Sequence, residues 1–236
     1  MGDIIVGIHQ PNFFPWFGYF LKIARVDKFV LLNAAQTQKK GGSYLNRTNI
    51  NIHGKSKWLT APIKRGPGQQ IINKTKYLDT PWRKNIINTL EINYGDAPYY
   101  KINIKFIQDI LQFESNSVSE YNINIITNIC EILKISTPLY ISSSFIINKT
   151  STERLIAIIK AVKGGIYLSG SGGDNYQDID LFESNYIHVK YNSFNHPEYN
   201  QVKTNNFMSG LSILDLLFNV GIESTKLMIS KLSQKY

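Results

Sequence analysis

IIVGIHQPNFFPWFGYFLKIARVDKFVLL, at residues 4–32, is the stretch that decides the fold class of this 236-residue chain. Its short apolar runs at 3–8 and 28–32 are typical of buried strands, and the segment 17–25 between them is typical of a helix. Two consecutive strands joined by a loop and a helix favour parallel pairing, because antiparallel neighbours need only a tight turn. The stretch therefore predicts an α/β fold with a mainly parallel sheet and flanking helices.

The middle of the chain has the apolar spacing of helices rather than strands. Helical segments are predicted at 80–95, 99–113 and 118–135, and the α/β alternation resumes only after them. No internal repeat or low-complexity segment divides the chain. The sequence therefore predicts a single domain over residues 1–236, with a helical subdomain around 80–136.

Weaker patterns flank this helical block. WLTAPI at 58–63 is typical of a third strand, and YIHVKY at 186–191 is typical of a late one. Thr150 and Glu153 have the spacing of a capping box at the start of a helix. A last helical region is predicted from Ser212 onward.

The composition is that of a globular protein, with 43% apolar and 18% charged residues. No run approaches the roughly 18 apolar residues that cross a bilayer, and the N-terminus lacks the pattern of a signal peptide. We therefore expect a soluble cytoplasmic protein without a transmembrane segment. The single cysteine, Cys130, suits a reducing compartment, and its place on an apolar helix face favours a small buried side chain over a nucleophile.

The formal net charge of +9 predicts an anionic partner, and basic residues concentrate between residues 39 and 76. A nucleotide, a phosphorylated carrier, an acidic protein and an anionic membrane surface all satisfy this charge, and so does a plain solvated face. Tyr44, Trp58 and Tyr77 interleave with the basic residues, as in some nucleic-acid binders. No named nucleic-acid motif accompanies them, so nucleic acid is not a predicted partner.

Two histidines occupy loops that follow predicted strands. His9 ends the first apolar run, His196 follows the strand at 186–191, and each has a proline within two residues. Ligands of open α/β sheets bind at such strand ends, and a stiffly held histidine suits acid or base catalysis near neutral pH. Each could instead cap or pack a turn, but the pair favours a catalytic role for at least one.

Each of the other candidate binding residues has a purely structural interpretation of about equal weight. LSGSGGDNY at 168–176, with Ser169 and Ser171, offers backbone donors for a phosphate or an oxyanion, or is a plain glycine turn. Arg47 is a candidate anion clamp or an ordinary surface arginine.

Asp215 is a candidate catalytic carboxylate or an orienter of a histidine. Its spacing from Ser212 also fits a capping box at a helix start. No cluster of histidine, cysteine and carboxylate residues has the spacing of metal ligands, so no metal is predicted.

The motifs in their order and spacing resemble the WbqC-like family over nearly the whole chain. They are IHQPNFFPWFGYFLKIARVDKFVLL, NRTNI, WLTAPI, YLSGSGGDNY, FNHPEYNQ and LSILDLLFNVG. The resemblance implies a bacterial protein of O-antigen and lipopolysaccharide biosynthesis, similar to proteins thought to attach an acyl or aminoacyl group to an amino sugar. The positions that match the family pattern are His9, Gln10, Pro11, Gly18, Tyr19, Lys22, Arg47, Trp58, Gly170, Tyr176, His196, Pro197, Tyr199, Gln201 and Asp215.

The opening also resembles nucleotidylyltransferases with a His-x-Gly-His signature after their first strand. The corresponding tetrapeptide, from Trp16 to Tyr19, keeps the glycine and lacks both histidines. This implies a Rossmann-like fold without nucleotidyl transfer. The chain also departs from the family pattern at Asn33 and Ala34, where relatives often carry acidic residues, so a mechanism that needs a carboxylate there is put in doubt.

The resemblance and the histidines together predict an N-acyltransferase, in one form an aminoacyltransferase, that acts on a nucleotide-linked amino sugar. No tightly bound cofactor is expected; the co-substrate is a thioester of coenzyme A or of the phosphopantetheine on an acidic acyl carrier protein. Arg47 and Lys39 are predicted to hold the pyrophosphate, and the amide of Gln10 or the backbone near Ser169 is predicted to hold the oxyanion. The predicted catalytic residues are His9, His196 and Asp215, and the predicted substrate-binding residues are Gln10, Asn12, Trp16, Tyr19, Lys39, Arg47, Ser169, Ser171, Tyr176, Tyr199 and Gln201.

Two other classes stay open at this point. A glycosyltransferase would use the same basic pocket but usually needs a carboxylate base or an Asp-x-Asp metal motif, which DID at 178–180 matches only weakly. A non-catalytic assembly factor would bind a sugar nucleotide or a carrier without consuming it.

Overall fold

The computed structural model describes residues 4–37, 43–64, 66, 68–170 and 177–234 of the chain. The predictions for Lys39, Ser171 and Tyr176 lie outside these residues. The strands are β1 (Ile5–His9), β2 (Lys28–Leu31), β3 (Arg47–Ile52), β4 (Lys55–Thr60), β5 (Leu139–Ile141), β6 (Ile166–Gly170) and β7 (His188–Asn192). The α-helices are α1 (Phe17–Ala24), α2 (Trp82–Tyr94), α3 (Tyr100–Leu111), α4 (Val118–Ile132), α5 (Ser151–Ala161), α6 (Ile179–Ser184), α7 (Ile213–Asn219) and α8 (Gly221–Leu232), with short 3-10 turns at Ile72–Lys74 and Ser142–Ser144.

Five of the strands form one parallel sheet in the order β5-β2-β1-β6-β7. The chain runs outward from β1 through β2 to β5, then returns to the other side of β1 with β6 and β7. The order therefore reverses between β1 and β6, where the carboxyl ends of open α/β sheets leave a crevice for ligands. The predicted α/β, Rossmann-like fold with a mainly parallel sheet is confirmed.

Side chains alternate across the sheet and build a core on each face. Ile5 and Leu31 belong to a large cluster that includes α1, α2, α3, α4 and α7. Val6 and Val30 belong to a second cluster against α5 and α6. His9 therefore shares the face of Ile5, toward α1, because strand positions two apart point the same way.

The expected third strand at 58–63 is present with different bounds, as β4 at Lys55–Thr60. β4 ends at Thr60 and pairs antiparallel with β3, apart from the parallel sheet. A tight turn at His53 and Gly54, with φ of 50° and 74°, joins the two strands, as type I′ hairpins require. Leu59 is buried while its neighbours Trp58 and Thr60 are exposed, the pattern of a hairpin strand with one covered face and not of a doubly covered parallel strand.

The later elements differ from the sequence prediction in detail. α2, α3 and α4 lie inside the three predicted helical segments, and β7 lies about two residues later than predicted. The capping box at the start of α5 is wrong, since the side chain of Thr150 makes no capping bond. Ser151, the next residue, has a left-handed φ of 47° and turns the chain sharply as it enters the helix.

Candidate functional site

A cavity of about 480 Å³ opens at the carboxyl ends of β1, β2 and β6, at the point where the strand order reverses. Its size and place are those of ligand sites in open α/β sheets. His9, Gln10, Asn12 and Trp16 of the predicted site line it. The first strand-to-helix connection therefore supplies one continuous wall of the cavity.

His9 is held in one orientation by the carbonyl of the next residue. Its Nδ1 lies 3.0 Å from the Gln10 carbonyl oxygen, which also accepts a hydrogen bond of 2.9 Å from the Tyr19 hydroxyl. A carbonyl can only accept, so Nδ1 carries the proton and Nε2 keeps its lone pair. The ring packs edge-on against Tyr19, with centroids 4.9 Å apart. Tyr19 is buried beneath His9, so it supports the histidine and does not itself line the cavity.

Burial, the larger cause, and the nearby Lys22 ammonium together lower the pKa of His9 to about 4. The hydrogen bond to Gln10 opposes both effects without reversing them. His9 is therefore an uncharged imidazole at neutral pH, with Nε2 as an acceptor.

Lys22 is a buried cation at the floor of this region, on α1. The pairing of β1 with β6 ends at Gly7 and Leu168, and the next carbonyl, that of Ile8, accepts a hydrogen bond of 2.9 Å from Lys22 Nζ. Nζ also lies 5.8 Å from the ring centroid of Tyr167, and the side chain joins none of the ion pairs among the described residues. Burial lowers the pKa of Lys22 to about 7. Lys22 thus fills the position where the two central strands separate.

Arg154, which the sequence interpretation missed, lines the cavity from the first turns of α5. Its Nε donates to the carbonyl of Lys149 at 2.6 Å and its Nη1 to the carbonyl of Ala34 at 3.1 Å. A signal existed, because the helix start near Thr150 was predicted and helices of parallel α/β units begin near the carboxyl ends of the preceding strands. A basic residue in the first turns of such a helix is a candidate for the crevice.

Aromatic rings lead from the cavity toward the surface. Trp16 and Tyr44 line the cavity with centroids 5.2 Å apart, and Trp58 lies 5.2 Å beyond Tyr44. The guanidinium of Arg47 stacks 4.0 Å over Trp58, outside the cavity lining, and its buried Nε has no partner among the described residues. Arg47 is therefore a stacked arginine of the β3–β4 hairpin and does not reach the cavity wall.

His196 lies on the other face of α1 from His9. Its ring packs 5.5 Å from Phe17, whereas His9 packs on Tyr19, and these two helix positions are about 200° apart around the axis. Gly18 permits this packing, because a Cβ there would lie 2.5 Å from the ring of Phe194. The structure therefore does not bring the two histidines together in one cavity.

The ring nitrogens of His196 are not presented to a cavity. Nδ1 lies 3.0 Å from the Pro197 carbonyl, and Nε2 is buried without a partner among the described residues. Burial lowers the pKa of His196, opposed by that hydrogen bond and by the charge of Asp215. This geometry favours the packing alternative for His196.

Asp215 is fully buried and holds a hydrogen-bond network. Its Oδ1 accepts from the hydroxyl of Tyr94 at 2.8 Å, and its Oδ2 accepts from the hydroxyl of Tyr199 at 2.7 Å and from Gln201 Nε2 at 2.9 Å. The Ser212 hydroxyl caps α7 by accepting from the backbone N–H of Leu214. The second bond of the predicted capping box, from Ser212 back to the Asp215 carboxylate, is wrong, because other donors occupy that carboxylate. Burial raises the pKa of Asp215. The predicted substrate-binding residues Tyr199 and Gln201 are here partners of a structural carboxylate.

We expect Asp215→Ala to lower the melting temperature by about 6–12 °C. The substitution removes the acceptor of two buried hydroxyls and one of the acceptors of the Gln201 amide. At about 1 kcal/mol for each lost bond the total is about 3 kcal/mol, and each kcal/mol lowers the melting temperature by about 2–4 °C. Asp180→Ala is the matched control, because Asp180 is exposed on α6. Thermal unfolding followed by circular dichroism measures both, and equal melting temperatures for the two variants would contradict a structural role.

Of the glycine-rich segment at 168–176, the structure describes residues 168–170. Ser169 is fully buried, and its Oγ lies 3.1 Å from Gln177 Oε1 and 3.3 Å from the Gly170 carbonyl, so it does not line the cavity. Gln177 does line the cavity. In the DID segment Asp178 caps α6, accepting from Leu181 N at 3.0 Å.

The departure from the family pattern at Asn33 has a structural use. Its Nδ2 lies 3.0 Å from both Ser119 Oγ and Ser143 Oγ, and its Oδ1 accepts from Ser142 Oγ at 3.1 Å. The amide both donates and accepts, which an ionised carboxylate cannot do. Asn33 therefore joins the end of β2 to α4 and to the turn after β5.

Two kinds of feature, a metal site and a membrane-spanning helix, are absent from the part of the chain that the structure describes. No group of three or more histidine, cysteine, aspartate or glutamate side chains there could hold a metal ion. No helix there has the length and apolar character to cross a membrane. Cys130 is buried on α4, and burial raises its thiol pKa to about 12.

Fold and cavity define a Rossmann-like α/β protein with a ligand cavity at its topological switch point. The chain belongs to the WbqC-like protein family, whose model matches residues 10–227, so the predicted family is confirmed. It is similar to the uncharacterized protein Rv1507c of Mycobacterium tuberculosis, with 33% identity over 223 residues that cover 93% of this chain and 95% of the relative. No solved structure matches the chain.

Proposed function

We propose that this protein is an N-acyltransferase that transfers an acyl or aminoacyl group from a thioester to the amino group of a nucleotide-linked amino sugar, in the cytoplasm and in O-antigen biosynthesis. The observation that supports it is His9, an uncharged imidazole in a cavity wall whose Nδ1 is fixed by the Gln10 carbonyl. Such a ring has one lone pair, on Nε2, to take a proton from a bound nucleophile.

The proposed reaction begins with the sugar amine, whose nitrogen attacks the thioester carbonyl carbon and forms the C–N bond. His9 Nε2 takes the proton that the nitrogen loses. The tetrahedral adduct then expels the thiolate as the C–S bond breaks, and the imidazolium returns the proton to sulfur. Amide and thiol are the products, and His9 is restored. The side-chain amide of Gln10, also in the cavity wall, is the proposed donor to the oxyanion.

The low pKa of His9 suits this role once substrate binds. An imidazole with a pKa near 4 is uncharged at pH 7 but is a weak base. An anionic group bound beside the ring favours the imidazolium and raises its pKa toward the working pH. Substrate binding would therefore strengthen the base at the step that needs it.

The composition of the wall disfavours glycosyl transfer. None of the described residues that line the cavity is aspartate or glutamate, the usual bases and metal ligands of that reaction. Asp178 is instead occupied as the cap of α6. Acyl transfer needs no carboxylate, so it fits these residues better.

Mass spectrometry of product mixtures tests the proposal. The purified chain is incubated with a panel of nucleoside-diphosphate amino sugars and either short-chain acyl thioesters of coenzyme A or acylated carrier protein. We expect a mass gain on one amino sugar that equals the acyl group, with release of one equivalent of thiol. Loss of the nucleotide from the sugar would instead identify a glycosyltransferase, and unchanged substrates across a panel that binds would point to a non-catalytic protein.

A further inference from the structure

The charged side chains at the cavity are of one sign, positive. Arg154 is the one permanently charged side chain among the described residues that line it, and no aspartate or glutamate is among them. Lys22, beneath the floor, adds a second basic group, joined to the lining residues Ile8 and Tyr167. A cavity with this charge attracts anions.

Arg154 is oriented for binding. The carbonyls of Lys149 and Ala34 fix its Nε and Nη1, so the plane of the guanidinium is set from two sides. Its Nη2 has no hydrogen-bond partner among the described residues. Carbonyl partners leave the positive charge uncancelled, whereas a carboxylate partner would neutralise it. The guanidinium is thus a fixed donor whose charge stays available to a ligand.

We propose that Arg154 binds the phosphate of a phosphate ester in this cavity, which His9 also lines. The inference deepens the proposed function and rests on it for the identity of the ester. It replaces the expectation that Arg47 holds the pyrophosphate, since Arg47 stacks on Trp58 outside the lining. Phosphate bound at Arg154 would also place negative charge in the same cavity as His9, in the direction that raises the pKa of the base.

Either substrate of the proposed reaction carries the required phosphate. A sugar nucleotide has a diphosphate between sugar and nucleoside, and coenzyme A has a diphosphate between pantetheine and nucleoside. Uridine diphosphate and coenzyme A are therefore the two probes, with inorganic pyrophosphate as the probe of phosphate alone. The probe whose binding depends most on Arg154 identifies which substrate is anchored there.

Isothermal titration at low salt compares the full-length wild-type chain with Arg154→Gln and Arg47→Gln. Both variants lose one positive charge, but Arg154 lines the cavity and Arg47 does not. Arg47→Gln therefore controls for the general effect of charge on binding. We expect Arg154→Gln to raise the dissociation constant of at least one probe by about ten- to a hundredfold, as for loss of a charge-assisted hydrogen bond. Arg47→Gln should change it by less than about threefold, because the Arg47 guanidinium stacks on Trp58 outside the cavity lining and makes no contact with a ligand bound there.

Arg154→Gln also removes two bonds to backbone carbonyls, so the wild type provides a second measurement. Amide chemical shifts are followed while uridine diphosphate or coenzyme A is added. We expect the largest changes at 7–12 and 150–155, and small ones in the β3–β4 hairpin. Changes centred on the hairpin, a larger loss from Arg47→Gln than from Arg154→Gln, or no binding of any probe at millimolar concentration would each overturn the proposal. Binding is measured without turnover, so absence of acyl transfer with phosphate binding intact counts only against the proposed function.

Discussion

Replacing His9 by asparagine should lower the rate of acyl transfer by about two orders of magnitude or more, while the same replacement at His196 should change it by less than about threefold. Asparagine at position 9 can still donate to the Gln10 carbonyl from its side-chain NH₂, the bond that Nδ1 now makes. Its amide oxygen has lone pairs but is far too weakly basic to replace Nε2 as a proton acceptor. The variant thus removes the base and keeps the local hydrogen bond.

The His196 variant is the matched control, since both are half-buried histidines near the carboxyl ends of parallel strands, His9 as the last residue of β1 and His196 in the loop after β7. His196 packs on Phe17 and does not line the cavity, so its ring cannot reach a ligand there. Steady-state rates are measured with the substrate pair identified by mass spectrometry, and circular dichroism checks the fold of each variant. A His9→Asn enzyme with full activity, or an equal loss in both variants, would sink the assignment of His9 as the base.

The first strand and its histidine could be predicted from sequence because both depend on local pattern. An apolar run that ends in His9 and leads into a helix is typical of the start of a parallel sheet, and the carboxyl end of that strand is where ligands bind. The position of the cavity beside β6 needed the strand order, which no short-range pattern encodes. The family motif therefore grouped His196 with His9, although α1 separates them in space.

Residues whose role depends on distant partners were missed or misjudged. Lys22 looks like an ordinary helical lysine until its Nζ is seen at the Ile8 carbonyl, where β1 and β6 separate. Asp215 looks like a catalytic carboxylate until Tyr94, from far along the chain, is seen to donate to it. The predicted helix start near Thr150 could have located Arg154 at the cavity. That step also needed the knowledge that this helix begins at the carboxyl edge of the sheet.

Lys22→Met should stabilise the protein below pH 7 and destabilise it near pH 10. This result would show that the buried Lys22 lowers the stability of the wild type below pH 7. Methionine has nearly the volume of lysine and no charge to bury, whereas the wild type buries an ammonium that contacts the Ile8 carbonyl and the Tyr167 ring and has no carboxylate partner among the described residues. Buried ions without a counter-ion persist mainly where a site uses them. Lys101→Met is the control, because Lys101 is exposed on α3.

The sign of this effect follows from the pKa of Lys22, which burial lowers to about 7 from the ordinary lysine value of 10.5. Below pH 7 both folded and unfolded chains are protonated at Lys22, and the wild type bears the full penalty, of the order of 5 kcal/mol. Between pH 7 and about pH 10 the unfolded chain holds the extra proton, so wild-type stability rises with pH. Above that range only the lost hydrogen bond to Ile8 counts against the variant, at about 1–3 kcal/mol.

Urea unfolding at pH 6 and at pH 10 measures both ends of this range, and NMR titration of the imidazole measures the effect on His9. We expect the free energy of unfolding of Lys22→Met to exceed that of the wild type at pH 6 and to fall below it at pH 10. The pKa of His9 should rise in the same variant, because the Lys22 ammonium contributes to lowering it. A purely structural lysine would alter stability without moving the His9 titration, so an unchanged His9 pKa would show that Lys22 does not act on the proposed base.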